Sequence, residues 1–269
     1  MAFIRRHPLF GYFLLAYFFT WAIEIPVMLA ARGAIDFHLP LALEALAGFG
    51  PFAAAVVVMS LINGKAGVTK LIAGLFHWRV PGIWLVFTLV SPFAVLFAAL
   101  AMTGETSKLF SGDLCRDLVT GGKFLQLLLI GGVLRGIGEE PGWRGFALPF
   151  LRRRFGPLMA TISLFPVWWL WHLPALLTRN EFQPLQFVMF GLGILAATVW
   201  CTLLYDATRS ILMLALWHAL INITRGMALS ASMAAFLAFA KVVLAVAVII
   251  IMYWLIRRPA VYSAEPQAG

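Results

Sequence analysis

Apolar residues run along this chain in stretches of bilayer-spanning length, broken by short polar connections. The first run follows Arg5-Arg6-His7 and continues to about residue 31; later ones cover about 43–62, 82–102, 124–148, 158–178, 185–205, 210–227 and 233–256. About 20 apolar residues in a helix cross a hydrocarbon layer of about 30 Å, so the pattern predicts eight transmembrane helices. The first run is too long for the apolar part of a signal peptide and reads as an uncleaved span. The fourth span, interrupted by a charge cluster, and the seventh, short and containing His218 and Asn222, are the least regular. The fold expected is an all-α polytopic membrane protein: one transmembrane domain over 1–258 and a small, polar, disordered tail over 259–269.

Composition agrees and charge refines it. The chain is 62% hydrophobic and 12% charged, against about 45–50% and 25% in soluble domains. A net charge of +9 would suggest nucleic acid in a soluble chain; here the basic residues sit in loops, and a nucleic-acid partner is not expected. One set of alternate loops holds Arg5, Arg6, Lys65, Lys70, Arg79, Arg152, Arg153, Arg154, Arg209, Arg257 and Arg258, eleven in all; the other holds Arg32, Lys108, Arg116, Lys123, Arg179 and Arg225, six in all. That excess puts both termini in the cytoplasm. Arg152–Arg154 read as a topology signal, and Tyr205-Asp206 as a helix end. Residues 69–79 mix basic and aromatic side chains as an interfacial helix would; residues 104–121 read as a polar helix or loop on the opposite side. Cys115 and Cys201 form neither a disulfide framework nor a metal spacing.

Ionisable groups inside spans are costly in hydrocarbon and mark function unless paired or near a headgroup region. Glu24, Glu44 and Lys241 lie toward span ends and have ordinary explanations. The others gather at one depth. With a rise of about 1.5 Å per residue, Glu139 and Glu140 lie roughly 12–14 Å from the cytoplasmic edge, His172 roughly 18 Å and His218 roughly 14 Å. Arg135 and Glu139, Glu140 and Arg144, and His218 and Asn222 are each i,i+4 and share a helix face. Adjacent Glu139 and Glu140 point about 100° apart, so they do not share one role. Pro141-Gly142 should kink or widen their helix, and Pro174 should loosen the backbone after Trp168-Trp169-Leu170-Trp171-His172.

No His-Glu-x-x-His, Gly-x-Ser-x-Gly or Gly-x-Gly-Asp occurs in the chain. What does occur, Glu139-Glu140-x-x-x-Arg144, then an aromatic four residues before His172, then His218-x-x-x-Asn222, resembles the CaaX protease and bacteriocin-processing family of intramembrane glutamate endopeptidases. The resemblance covers about residues 120–225. Trp168 stands where the family usually has phenylalanine, which bears on the shape of the site more than on its chemistry.

The resemblance implies that Glu139 is the general base that deprotonates a water held by His172, that His218 and Asn222 bind the oxyanion, and that Glu140, paired with Arg144, orients the helix. Glu139, His172 and His218 would also make a two-histidine, one-carboxylate zinc site with an open position; no ligand pair has a zinc spacing, and the metal-free reading is preferred. The activity expected is hydrolysis of a peptide bond near the C-terminus of a membrane-associated peptide or protein, prenylated in one version, which reaches the site from the cytoplasmic side. The alternatives are a non-catalytic immunity or scaffold protein and an ion-coupled transporter, the latter disfavoured by the lack of repeat symmetry. Short loops point to a prokaryotic cytoplasmic membrane.

Overall fold

The structure, a computed structural model, describes residues 2–110, 132–178 and 183–261. Its helices are α1 (Pro8–Ala31), α2 (Gly50–Ala73), α3 (Gly82–Thr103), α4 (Arg135–Gly142), α5 (Leu148–Arg152), α6 (Pro157–Trp171), α7 (Leu173–Leu177), α8 (Pro184–Thr208), α9 (Ile211–Ala231) and α10 (Met233–Arg257), and there is no strand among the described residues. Among the described residues, six helices are long and apolar enough to cross a membrane: α1, the stretch Ala45–Phe76 that contains α2, α3, α8 from Leu185, α9 and α10. They are apolar on all faces, so the outward side chains, among them Phe18, Ile83 and Ile256, face lipid instead of a polar shell. The chain is an integral membrane protein.

The other two predicted spans are interrupted. Of 124–148, the first eight residues lie outside the described residues; the remainder is α4, a π-helical turn at Trp143–Ala147, and α5. Pro141 and Pro149 flank that turn, each removing a backbone donor, and the widening expected after Pro141-Gly142 is present. The span at 158–178 divides at His172 into α6 and α7. The seventh span, expected to be irregular, is instead the continuous 21-residue α9. Its buried histidine takes a side-chain partner from another helix, so the backbone has no polar demand to meet and stays helical.

Two hydrophobic clusters form the interior. One joins α3, α8, α9 and α10 around Trp200, Trp217 and Trp254; the other joins α1, α2, α6 and the π-helical turn around Tyr12, Trp143, Phe146 and Trp171. α4 lies between α2 and α9 and is admitted by glycines. A Cβ at Gly142 would strike the Pro51 carbonyl and the Tyr12 hydroxyl, and one at Gly136 would strike the Ala215 carbonyl. Small residues let helix backbones approach closely in this way.

Polar ties fix the ends. Arg152, placed by its sequence context among exposed topology residues, is buried; its Nε donates to Asp206 Oδ1 at 3.1 Å and its Nη2 to Asp206 Oδ2 at 2.9 Å. It also donates to the Phe155 and Ala260 carbonyls, which ties down the start of the tail; residues 262–269 lie outside the described ones. A forked guanidinium fits a carboxylate with two parallel bonds, and this converts a basic run into a clamp between α5 and α8. Arg153 and Arg154 remain exposed. At Gly64 the backbone leaves helical geometry (φ 61°, ψ −153°), and the segment beyond it runs to the exposed Phe76 and Trp78, consistent with a surface helix that starts earlier than residue 69.

In the polar loop after α3, Glu105 accepts from Thr103 Oγ1 (2.9 Å), Lys108 Nζ (2.7 Å) and Ser232 Oγ (2.7 Å), and Lys108 also donates to the Ala231 carbonyl. These donors hold the Glu105 carboxyl at about 2, against its ordinary 4.5. A carboxyl depressed on folding stabilises the fold above its ordinary value and loses that contribution as pH falls through the folded one. Acidification from 4.5 towards 2 is therefore expected to loosen the α9–α10 junction, read as faster amide exchange at Ala231–Ala235. Glu105→Gln should show that faster exchange already at neutral pH; exchange unchanged by either would overturn the assignment.

Candidate active site

α4 delivers two adjacent carboxylates into the interior, Glu139 at 1% and Glu140 at 0% exposure. Their directions differ as helix geometry requires, and so do their partners. Glu140 Oε1 accepts from Arg144 Nη1 at 2.9 Å, the i,i+4 pair expected, and also meets His218 Nδ1 from α9 at 2.7 Å. Glu139 Oε2 accepts from the Trp168 indole Nε1 on α6 at 2.9 Å, and its Oε1 lies 3.5 Å from Arg135 Nη1.

Trp168 is the shared surface of the cluster. The Arg144 guanidinium lies over its ring, 3.9 Å from the centroid. The His172 ring is 5.6 Å away and the His218 ring packs edge-on at 5.9 Å. A guanidinium over indole away from water contributes about 2 kcal/mol. α4, α6 and α9 thus bring Glu139, Glu140, His172 and His218 to one place, as the depth estimate anticipates. Asn222 is partly buried one turn beyond His218 on α9.

The histidine environments set their tautomers. His172 Nδ1 lies 2.7 Å from the Trp168 carbonyl, which can only accept, so this nitrogen carries the proton. His218 Nδ1 faces a carboxylate and carries its proton likewise. Each neutral ring therefore has its lone pair on Nε2, where it can accept from water or bind a metal; it donates to an oxyanion only when doubly protonated. Donation of Nδ1–H to a carbonyl or carboxylate is also the pattern behind metal-ligating histidines. Among the described residues, however, no group of three or more His, Cys, Asp or Glu is arranged to hold a metal ion.

Three contributions go beyond the sequence reading. Trp168, marked there as an aromatic bearing on the shape of the site, also supplies a hydrogen bond to Glu139; the available signal was that a buried indole N–H needs an acceptor. Tyr12, fully buried on α1, lies within electrostatic reach of Arg144, Glu139 and Glu140. Glu24, also on α1 and buried, lies within electrostatic reach of Arg135 and Glu139. Lys241 is exposed and Glu44 half-buried, outside the cluster.

Arg144 is 0% exposed, so its charge depends on Glu140. Removing one partner of a buried pair leaves an uncompensated charge at a cost of about 3–5 kcal/mol. Glu140→Ala is expected to lose about that much stability in detergent, and Glu139→Gln much less, since its indole partner can donate to an amide oxygen equally well. Equal stability of the two variants, measured by chemical or thermal unfolding, would overturn this ranking.

Residues 121–224 match the family described as Rce1-like, type II CAAX prenyl endopeptidase. The CAAX prenyl protease 2 of Methanococcus maripaludis is 33% identical over 95 residues, an alignment covering 32% of this chain and 35% of that protein. The chain thus matches about a third of that curated relative's length. The matched segment contains Glu139, Glu140, Arg144, His172, His218 and Asn222. Over residues 121–224 the chain is thus similar to the Rce1-like CAAX prenyl endopeptidases, and the residues that carry the resemblance lie inside the matched segment.

Proposed function

We propose that this chain is an intramembrane endopeptidase that hydrolyses a peptide bond near the C-terminus of a membrane-associated, prenylated peptide or protein. The observation that carries the reading is the 2.7 Å contact of His218 with Glu140, which joins α9 to the acid helix beside Glu139. The Rce1-like match and the name of the Methanococcus relative support the substrate class. Short loops support a prokaryotic cytoplasmic membrane as the setting.

The chemistry follows from the free atoms. Trp168 occupies Glu139 Oε2, and Oε1, with Arg135 only at 3.5 Å, is left to take a proton. A water held between this oxygen and His172 Nε2 loses its proton to Glu139 as it attacks the substrate carbonyl. The resulting oxyanion receives hydrogen bonds from the Asn222 amide and from His218, whose doubly protonated form donates through Nε2 while Nδ1 remains on Glu140. One such donor is worth about 2.7–4 kcal/mol of barrier. Collapse breaks the C–N bond, and Glu139 returns its proton to the leaving amine. Glu140 and Arg144 keep the acid helix and His218 in register.

A zinc reading on Glu139, His172 and His218 draws its support from the two Nδ1 protons directed away from the site. In it the metal would supply the activated water. The metal-free reading is preferred because, among the described residues, Glu139, His172 and His218 are not arranged as a group that could hold a metal ion.

The test is cleavage of a C-terminally prenylated fluorogenic peptide in proteoliposomes. Glu139→Gln and His172→Ala, purified as folded protein, should each lower kcat by about 10²–10⁴. Full cleavage by either would overturn the proposal. Activity that survives exhaustive chelation supports the metal-free reading, whereas activity lost on chelation and restored by zinc supports the metal one.

A further inference from the structure

The helix that carries His172 is broken at that residue. α6 ends at Trp171, α7 begins at Leu173, and Pro174 contributes no N–H. Helix ends leave carbonyls at one side and N–H groups at the other without intrahelical partners. In a membrane such groups must be met by protein.

α1 meets the carbonyl. Trp21 Nε1 donates to the Trp171 carbonyl at 3.0 Å. That carbonyl lies one residue before His172, where a continuous helix would close it with the backbone N–H of Ala175 four residues on. The contact continues in both directions: Tyr17 Oη donates to the Val167 carbonyl at 2.6 Å, and Arg32 Nε donates to the Leu177 carbonyl at 2.8 Å. Tyr17 and Trp21 are spaced i, i+4 and share one face of α1, and their targets, Val167 and Trp171, advance by the same turn.

We infer that α1 is a splint for the broken helix, and that Trp21 is a positioning residue which fixes the direction of His172 by meeting the carbonyl that the break leaves open. The inference rests on the peptidase reading for its functional consequence. The His172 ring hangs from this break, with Nδ1 held by the Trp168 carbonyl below it. If the turn between Trp171 and Ala175 relaxes, the ring moves relative to Glu139, and the water between them is misplaced. Trp21 thereby joins the site through the backbone, without touching substrate.

Two variants separate the splint from general support. Trp21→Phe removes the donor but keeps an aromatic ring, and Tyr17→Phe removes the donor one turn earlier, whose acceptor Val167 lies inside the continuous α6. On the prenylated peptide, Trp21→Phe is expected to lower kcat by about 10- to 100-fold with KM within about threefold of the parent, and Tyr17→Phe to keep kcat within about threefold. Amide hydrogen exchange at Ala175–Leu177 and the imidazole nitrogen resonances of His172, measured on the full chain in nanodiscs, should change in Trp21→Phe and not in Tyr17→Phe. Unchanged kcat in Trp21→Phe while its exchange has risen would overturn the inference, as would equal loss in the two variants. If the parent protein itself cleaves no peptide, the peptidase reading fails, and the exchange and nitrogen resonances still decide the splint: unchanged spectra in Trp21→Phe would overturn it.

Discussion

A guanidinium sealed inside a membrane protein must find its counter-charge and its hydrogen bonds within the protein, and Arg144 sets that condition here. Its position one turn after Glu140 supplies the carboxylate at 2.9 Å, and the Trp168 ring supplies a π-face at 3.9 Å. Both requirements reach outward. Glu140 can serve Arg144 and His218 together only if α9 packs directly on α4, and Trp168 can lie against Arg144 only if α6 closes the other side. The glycines at 136 and 142 make that closeness sterically available. The charge pair and the helix arrangement are thus one constraint expressed twice: the packing brings the partners in, and the partners make a different packing expensive.

The same cluster divides its carboxylates by chemistry. Glu140 meets two cationic or cation-forming groups through its Oε1, which suits a structural anion. Glu139 meets one neutral donor and a more distant guanidinium. Adjacent residues on one helix acquire opposite characters because a 100° turn points them at different neighbours. The histidines show a parallel logic, each with Nδ1 committed to the scaffold.

Much of this was legible in the sequence because membrane solvent makes polarity conspicuous. Spanning runs, the Glu140–Arg144 spacing and the common depth of three helices all follow from single-residue hydropathy and helix rise. What was not legible concerns residues whose role depends on a partner far along the chain. Trp168 looks like any membrane tryptophan until Glu139 is placed 29 residues before it. Arg152 looks like its two exposed neighbours until Asp206 closes on it. Trp21 looks like an interface anchor, and its bond to the Trp171 carbonyl is called for only because the helix there is broken. The location of that break was half legible: Pro174 announced it, yet the polar residues inside α9 drew attention to the wrong helix. A buried polar side chain distorts a backbone only when no side chain answers it, and Glu140 answers His218.

The glycine-lined approach of α4 to its neighbours bears on how such a scaffold could diversify. Where two backbones touch with no side chain between them, there is no wall to enlarge, shrink or recharge. The acid helix is therefore closed to tuning on the α2 and α9 sides. The opposite wall is built differently: Phe190 packs edge-on against His172 at 5.2 Å, and Trp169 stacks between Phe165 and Phe187. Those rings come from α6 and α8, they can be exchanged for larger or smaller ones without moving a main chain, and they border the imidazole. For the proposed peptidase, this means that substrate preference can drift along an aromatic wall while the acid helix stays fixed.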